Sequence, residues 1–391
     1  MAVISPSSVA ELSEIIVDAM RDGRTLEIRG GGSKAEMGRG CEAGILCMGE
    51  FKGVVDYDPA ELVLTVRAGT PLRDVEALVA SERQMLAFDP WDHGPIFGRL
   101  AGSATIGGVI AAAVAGSNRL TMGGARDHLL GFEAVSGRGE PIVGGAKVVK
   151  NVTGYDIPKL MAGSWGRLAA LTQITLKVLP RPVASITVII DGLDVHAALT
   201  AMTVALQSQA GVAAAAHLPA DVSGGYARTL FRIQGFRPSV EARTDLLKEL
   251  MRDHGQAYLV EGTEADNAWF NIRSAAPLND GRSLWRINIP PSRACTLVSA
   301  LEPMGARWFL DWAGGLVWLS FDGDPQTVRA AADSADGHAM LVRSTAEIRA
   351  SVPMQHPRPA SVNALESRIR RAFDPSGVFE TGRFLDVLHA D

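Results

Sequence analysis

Residues Gly98 to Val135 read GRLAGSATIGGVIAAAVAGSNRLTMGGARDHLLGFEAV, and Lys147 to Val178 read KVVKNVTGYDIPKLMAGSWGRLAALTQITLKV. Glycines at 98, 102, 107, 108, 116, 123 and 124 are denser than any helix or strand would want for its own stability. Such density suits close backbone approach to a bound group, with N–H groups left to bond it. A diphosphate is the usual group of that kind. An earlier turn, Gly30-Gly31-Gly32-Ser33-Lys34, follows the strand-like Thr25–Arg29 and supplies a second loop of this type. Two such loops in one domain suggest a large dinucleotide held extended. Thr105-Ile106-Gly107-Gly108-Val109 runs into the small-residue segment Ile110–Ala115, which reads as a helix start whose N–H groups and dipole favour phosphate. The alternative is that Gly107 and Gly108 only allow tight helix packing.

Gly30 to Ala35 also satisfies the G-x-G-x-x-A pattern of a nicotinamide-binding fold. That fold needs a helix at the turn, and Gly38, Gly40 and Gly44 forbid one. A plain tight turn remains the simpler alternative to phosphate binding. The bounds from composition are broad. A chain of 391 residues suggests two domains. A net charge of −5 with no basic run argues against nucleic acid. Three cysteines, at 41, 47 and 295, match neither a disulfide framework nor a zinc or iron–sulfur spacing, so no metal site is expected and a reducing, cytoplasmic setting fits. The start MAVISPSSVAEL lacks the pattern of a signal peptide, and the longest apolar run, Val109–Ala115, is too short to span a bilayer.

The segments RGGGSK (Arg29–Lys34), TIGGVIA (Thr105–Ala111), GGARDHLLG (Gly123–Gly131), KNVTGYDIPKLMAGSWGRLA (Lys150–Ala169) and AFDPSGVFETGRF (Ala372–Phe384) keep one order along the chain. On these residues the chain resembles the vanillyl-alcohol oxidase / p-cresol methylhydroxylase superfamily. Within it, the likeness is to the FAD-binding E-subunit family of bacterial glycolate oxidases. The resemblance implies a mixed α/β and α+β chain: a bilobal FAD-binding domain over 1–180, a ferredoxin-like cap over 181–352, and a segment 353–391 returning to the FAD domain. It implies that FAD is bound by Arg29, Gly30, Gly31, Gly32, Ser33 and Lys34, and by Thr105, Ile106, Gly107 and Gly108. It adds Gly116, Ser117 and Arg119 in a loop facing the isoalloxazine, Val152, Thr153, Gly154 and Asp156 beside the cofactor, and Gly166 and Leu168.

With no histidine or cysteine near Gly32 before Cys41, the flavin is expected to be held non-covalently. Where the family has GSEGTLG, this chain has Trp165 and Arg167, and where it has Asn-Pro in FNPGR, Glu380-Thr381 stands. Asp156 and Lys159 either bind flavin or brace its loop; equally, Asp156 caps the helix that Pro158 starts. The metal-holding histidine cluster of related hydroxyacid dehydrogenases is absent, and no catalytic base is identifiable, although Arg232, Arg273 and Arg286 could hold a carboxylate. His93 and His128 read as structural. The resemblance thus implies a subunit that relays electrons from glycolate or D-lactate oxidation, with a catalytic flavoprotein and an iron–sulfur subunit as partners, towards quinone. Membrane contact would come only through that complex, peripherally at its inner face. Two other readings stand beside it: a non-redox structural subunit with a degenerate flavin site, and a stand-alone FAD-linked oxidase.

The rest of the chain is read from periodicity. Ser8-Val9-Ala10-Glu11 is a capping box opening a helix with Leu12, Ile15, Ile16 and Ala19 inward. Leu62–Val66 is a strand, and Thr70-Pro71 caps a helix with Leu72, Val75, Leu78 and Val79 inward. Pro180-Arg181-Pro182 marks a boundary. Beyond it, strands Ser185–Ile190, Arg228–Gln234, Ala257–Glu261, Leu284–Ile289, Trp308–Trp312 and Leu316–Phe321 alternate with helices Val195–Gln209, Val240–Met251, Ala294–Leu301 and Val328–Ala335. This repeats a ferredoxin-like theme and predicts one antiparallel sheet with helices on one side. Trp308, Trp312 and Trp318 are either partner anchors or hairpin core. Ser361–Phe373 closes the chain as a helix with Val362, Leu365, Ile369 and Phe373 on one stripe.

Overall fold

The computed structural model describes residues 3–145 and 155–384. The chain splits into two compact units. One comprises the segments up to Ala115, from Gly123 to Arg181, and from Pro357 onward; the other comprises Gly116–Met122 and Pro182–His356.

In the first unit, helix Val9–Arg21 buries Leu12, Ile16 and Ala19. Ser8 accepts the Glu11 N–H at 3.2 Å, as expected of an N-cap. The box is only half made, because the Glu11 carboxylate takes the N–H and hydroxyl of Ser7 instead. Leu26–Arg29 pairs in parallel with Gly44–Cys47, which pairs with Val3–Ile4. The link between the first two of these strands is the glycine loop, with no α-helix in it, which is what the glycine spacing required. A second sheet is antiparallel throughout, in the order Val54–Asp58, Val63–Arg67, Ala169–Lys177, Leu129–Ser136, Pro141–Gly145. Helix Leu72–Ser81 starts at Pro71 without a side-chain cap; the Thr70 hydroxyl instead donates back to the Arg67 carbonyl.

The C-terminal segment closes this unit differently from expectation. No residue of helix Ala360–Phe373 is buried, and Val362 and Leu365 stay 38% and 48% exposed. The docking residues come after the helix. Val378 and Phe379 enter the core beside Leu12, Ile16 and Leu26, and the Leu26 N–H donates to the Val378 carbonyl at 2.7 Å. Buried Asp374 shapes that turn by accepting the Val378 and Phe379 N–H groups at 2.9 and 2.8 Å.

The second unit is built on one eight-stranded antiparallel sheet. Its order is Ala257–Glu261, Ala184–Asp191, Arg228–Gly235, Ala214–Leu218, Arg307–Asp311, Leu316–Ser320, Leu284–Asn288, His338–Arg343. Each half has the 4-1-3-2 order of a ferredoxin-like fold, and the halves join where His217 pairs with Leu310. Helices Val195–Gln207, Arg237–Leu250, Ala294–Leu301 and Pro325–Ser334 share one core with alternate strand residues such as Ile186, Val188 and Ile190. The one-sided layer needs correcting: helix Gly262–Arg273 lies on the opposite face, where the Trp269 indole donates to Thr187 at 3.0 Å. Trp308, Trp312 and Trp318 are 3%, 5% and 2% exposed, so none offers a partner an anchor.

Candidate functional site

The described cleft of the first unit is lined by Ile28 to Ala35, Met48, Ala68, Thr105, Gly107, Gly108, Ala111, Ala112, Trp165, Gly166, Ala169, Leu171 and Arg383. Its two glycine loops touch. A Cβ on Gly30 would sit 2.1 Å from Thr105 Oγ1, and one on Gly31 would sit 1.8 Å from the Ser103 carbonyl oxygen. Gly32 adopts φ +78°, a left-handed conformation that costs other residues energy. This turn leaves backbone donors open: among the described residues, nothing accepts from the N–H groups of Gly31, Gly32 or Ser33.

The second loop behaves otherwise. Thr105 caps helix Ile106–Ala111 and accepts from Gly108 N–H at 3.3 Å. The Ile106 N–H goes to the Thr70 carbonyl at 2.9 Å and the Gly107 N–H to the Ala68 carbonyl at 2.7 Å. A Cβ on Gly107 would lie 2.7 Å from that same Ala68 oxygen. The expectation of phosphate-facing amides at this helix start is therefore corrected: protein oxygens already take them. Gly107 allows tight packing, while Gly108, whose Cβ would meet only Thr105 Oγ1 at 3.3 Å, forms cleft wall. Ile106 is fully buried and Leu168 is 6% exposed; neither lines the cleft.

Charge at the cleft is organised around the expected Arg29 and Lys34 by three groups that sequence reasoning missed, Glu27, Asp92 and Arg383. Glu27 accepts from Arg29 Nε and Nη2 at 2.9 and 2.7 Å and from Arg383 Nη1 at 2.6 Å. Burial alone would raise its pKa, but the two guanidinium groups outweigh burial and hold it below the ordinary carboxylate range. Arg383 also donates to the carbonyls of Met37, at 2.7 Å, and Lys34, so the C-terminal segment clamps the first loop. Burial pushes Lys34 down to about 8, opposed by Asp92 and assisted by Arg383. Asp92 fixes the neighbouring loop by accepting the N–H groups of Gly94, Gly102 and Ala104 at 2.8, 2.7 and 3.1 Å.

The departures at Trp165, Arg167 and Glu380 meet each other. Arg167 pairs with Glu380 at 2.8 Å, Arg370 holds the other Glu380 oxygen at 2.7 Å, and the Trp165 ring lies 5.6 Å from that of Phe384. Trp165 has φ +56°, so a non-glycine residue is held left-handed at the cleft wall. The substituted loops have been refitted to one another.

The remaining expected site residues are not among the described lining of this cleft. Gly116, Ser117 and Arg119 belong to the second unit and are used there: the Gly116 carbonyl accepts from the Trp312 indole at 3.0 Å, Ser117 donates to Asp311 at 2.8 Å, and the Arg119 guanidinium lies over the Trp312 ring. Val152, Thr153 and Gly154, like the expected strand Ala146–Val149, lie outside the described residues. Asp156 is exposed, and its helix cap reading fails because the N-cap is Ile157. Lys159 donates to the Arg126 carbonyl at 2.5 Å and so braces the adjacent turn. His93 stacks on Trp91 with ring centroids 3.7 Å apart, and His128 contacts the Lys177 carbonyl, both structural uses. Among the described residues, no group of three His, Cys, Asp or Glu side chains could hold a metal ion.

Comparison with known proteins agrees with this geometry. A family model described as an FAD binding domain matches residues 1–145. Glycolate oxidase subunit GlcE of Escherichia coli (strain K12) is 32% identical over 383 residues, covering 96% of this chain and 97% of that one. The chain belongs to the E-subunit family of glycolate oxidases, within the FAD-linked oxidoreductases. Glycolate oxidase subunit GlcD of Bacillus subtilis (strain 168) is 30% identical over 184 residues, only 46% of this chain and 37% of that one. A 4-ethylphenol oxidase from Gulosibacter chungangensis shares the fold, with a TM-score of 0.70 at 14% identity over 97% of this chain and 88% of that one. FAD is thus the family's cofactor, and the described cleft fits it. Open amides and a buried lysine suit a diphosphate, and a wall of glycine and alanine suits a close-lying planar group.

Proposed function

We propose that this chain is the FAD-binding subunit of a complex that oxidises glycolate or a similar small 2-hydroxyacid. The observation that carries the reading is the end-to-end likeness to GlcE joined to a cleft with open amides at Gly31, Gly32 and Ser33. In this reading those amides hold the diphosphate, Lys34 adds charge, and Arg29, Gly30 and Arg383 fix the loop. Thr105, Gly107, Gly108 and Gly166 form the wall against which the rest of the cofactor lies. Val152, Thr153, Gly154 and Asp156 remain candidate cofactor neighbours by resemblance. Bound FAD supplies two-electron uptake and single-electron release.

The cleft's own side chains limit the chemistry. Among the described residues its lining includes cations, hydroxyls and apolar groups but no carboxylate, imidazole or thiol. A hydroxyacid needs a base for its hydroxyl proton, so that step is assigned to a partner flavoprotein. The missing thiol and imidazole support non-covalent attachment of the flavin. Electrons would continue to an iron–sulfur subunit and quinone. Among the described residues no helix is long and apolar enough to cross a membrane, so contact with the inner face of a membrane would come through those partners. The mutual refitting of Trp165, Arg167, Glu380 and Phe384 speaks against a decayed, non-redox site.

The test is dye reduction by glycolate, using the isolated subunit and then the complex with and without it. We expect a yellow isolated subunit without turnover, and a complex that fails when it is omitted. Robust turnover by the isolated subunit would favour a stand-alone oxidase. Undiminished turnover without it, or a colourless subunit that rejects added FAD, would overturn the proposal.

A further inference from the structure

We infer that the outward face of helix Ala360–Phe373, with Leu365, Arg368 and Arg371 on it, docks an acidic surface of a partner subunit. The inference rests on the reading above that this chain works inside a complex. No residue of the helix is buried. Its half-buried side carries Glu366, Ile369, Arg370 and Phe373. Its C-terminal end is fastened to the first unit, the Phe373 carbonyl accepting from the Gly137 N–H at 3.0 Å and the Ala372 carbonyl from Arg138 Nη2 at 3.2 Å. The other side presents Ala364, Leu365, Arg368 and Arg371 to solvent, at the three- and four-residue spacings that put side chains on one helical face.

The charge on this face has one sign. Between Arg358 and Arg371 stand four arginines and one glutamate, in a chain whose net charge is −5. That glutamate, Glu366, pairs with Arg358 and lies 3.9 Å from Arg370, whose Nε holds Glu380 at 2.7 Å. Arg368 and Arg371 are exposed and have no acid partner among the described residues. Arg371 also lines a hollow of about 550 Å³, together with Arg39, Arg370 and Phe384. The two acids of that hollow are already engaged, Glu380 by Arg167 and Arg370, and Asp374 by the N–H groups of Val378 and Phe379. An acidic partner would meet cations here without displacing an acid, and such complementarity steers and orients association.

Two other occupants fit this face less well. A lipid surface takes up a helix whose apolar side sinks into the headgroup layer. Of the large apolar side chains here only Val362 and Leu365 are exposed, at 38% and 48%, which is too little for that. A second copy of this chain, related by a two-fold axis, would set Arg368 and Arg371 against their own like charges. An acidic protein surface with a small apolar centre meets both the arginines and Leu365. Through Arg370 and Glu380 the helix is tied to Arg167, two residues from Trp165 of the cleft wall, so the docking face and the cleft belong to one unit.

The experiment measures the affinity of the FAD-saturated full chain for the co-expressed catalytic flavoprotein and iron–sulfur subunits at low and high salt. Flotation with phosphatidylglycerol vesicles and the mass of the isolated chain in solution run beside it. We expect partner binding to weaken as salt rises. Arg368→Glu with Arg371→Glu should weaken it by about tenfold, Leu365→Asp should weaken it as well, and Arg368→Lys with Arg371→Lys should keep most of it. FAD content and melting temperature of the isolated variants should match wild type. If the charge reversal shifts the melt, Arg368→Gln with Arg371→Gln decides instead. Unchanged partner affinity in these variants would overturn the inference and leave the functional proposal standing. So would vesicle binding or self-association of the wild type that the reversal abolishes. A wild-type chain that binds neither partner would bring down both.

Discussion

The two glycine loops of the first unit look alike in sequence and differ in what their backbones do. At Gly31 to Ser33 the N–H groups are open; Ser103 presses on Gly31 as Thr105 presses on Gly30, while Gly32 is needed for its φ of +78°. At Ile106 to Gly108 the amides are taken by the Thr70 carbonyl, the Ala68 carbonyl and the Thr105 hydroxyl. One loop is a cradle and the other is its backing. Glycine density marks where backbones approach closely, but only the partners of the N–H groups separate a ligand contact from a packing contact.

Breaking the contact between the loops should have the largest effect. In Gly31→Val the new Cβ meets the Ser103 carbonyl, forcing the loops apart. A loss of about 3 kcal/mol in unfolding free energy is expected, together with loss of FAD. Gly108→Val tests the backing alone. Its Cβ has only Thr105 Oγ1 nearby, so the apoprotein should melt close to wild type while FAD affinity falls by about 2 kcal/mol, some thirtyfold. A variant that purifies with full FAD would remove Gly108 from the wall.

Lys34 sharpens the account of the cradle. Its ammonium is disfavoured by burial, with a pKa of about 8 in the free protein, and a bound phosphate would favour the charged form. FAD affinity should therefore be flat below pH 8 and fall as pH rises beyond it. Lys34→Met should weaken FAD by about 1.5 kcal/mol at pH 7 and abolish that pH dependence. The sign for the apoprotein is opposite: a depressed lysine pKa means stability rises between pH 8 and the ordinary lysine value near 10.5. Equilibrium dialysis and thermal melts across pH 6 to about 10 check both. The smallest effect is at Arg167 and Glu380, a pair with side chains 14% and 37% exposed. A double-mutant cycle with alanine should give a coupling of about 1 kcal/mol or less. Zero coupling would mean that the two substituted loops do not support each other.

Much of this was legible from residue types, and the rest depended on distant partners. The strand before Gly30, the failure of a helix after it and the repeated elements of the second unit follow from local spacing. Strand Ala214–Leu218 did not, because AAAHL has poor strand propensity and is held in the sheet by two neighbouring strands. Nor did His338–Arg343, which pairs with Leu284–Asn288. Trp165 and Arg167 read as damage because their compensating partners lie more than two hundred residues away. The Gly116–Arg119 loop read as part of a flavin site, and its contacts with Asp311 and Trp312, almost two hundred residues away, were not legible from spacing. The amides at Ile106 and Gly107 looked open until strand-end carbonyls at Ala68 and Thr70 were seen to take them.

The most direct test is residue-resolved amide hydrogen exchange with and without FAD. The amides of Gly31, Gly32 and Ser33 should exchange fast in the free protein and slow by at least tenfold when FAD is added. Those of Ile106 and Gly107 should be protected in both states and change little. Slowing confined to Ile106–Gly108, with Gly31–Ser33 unaffected, would contradict the assignment of the first loop as the phosphate cradle.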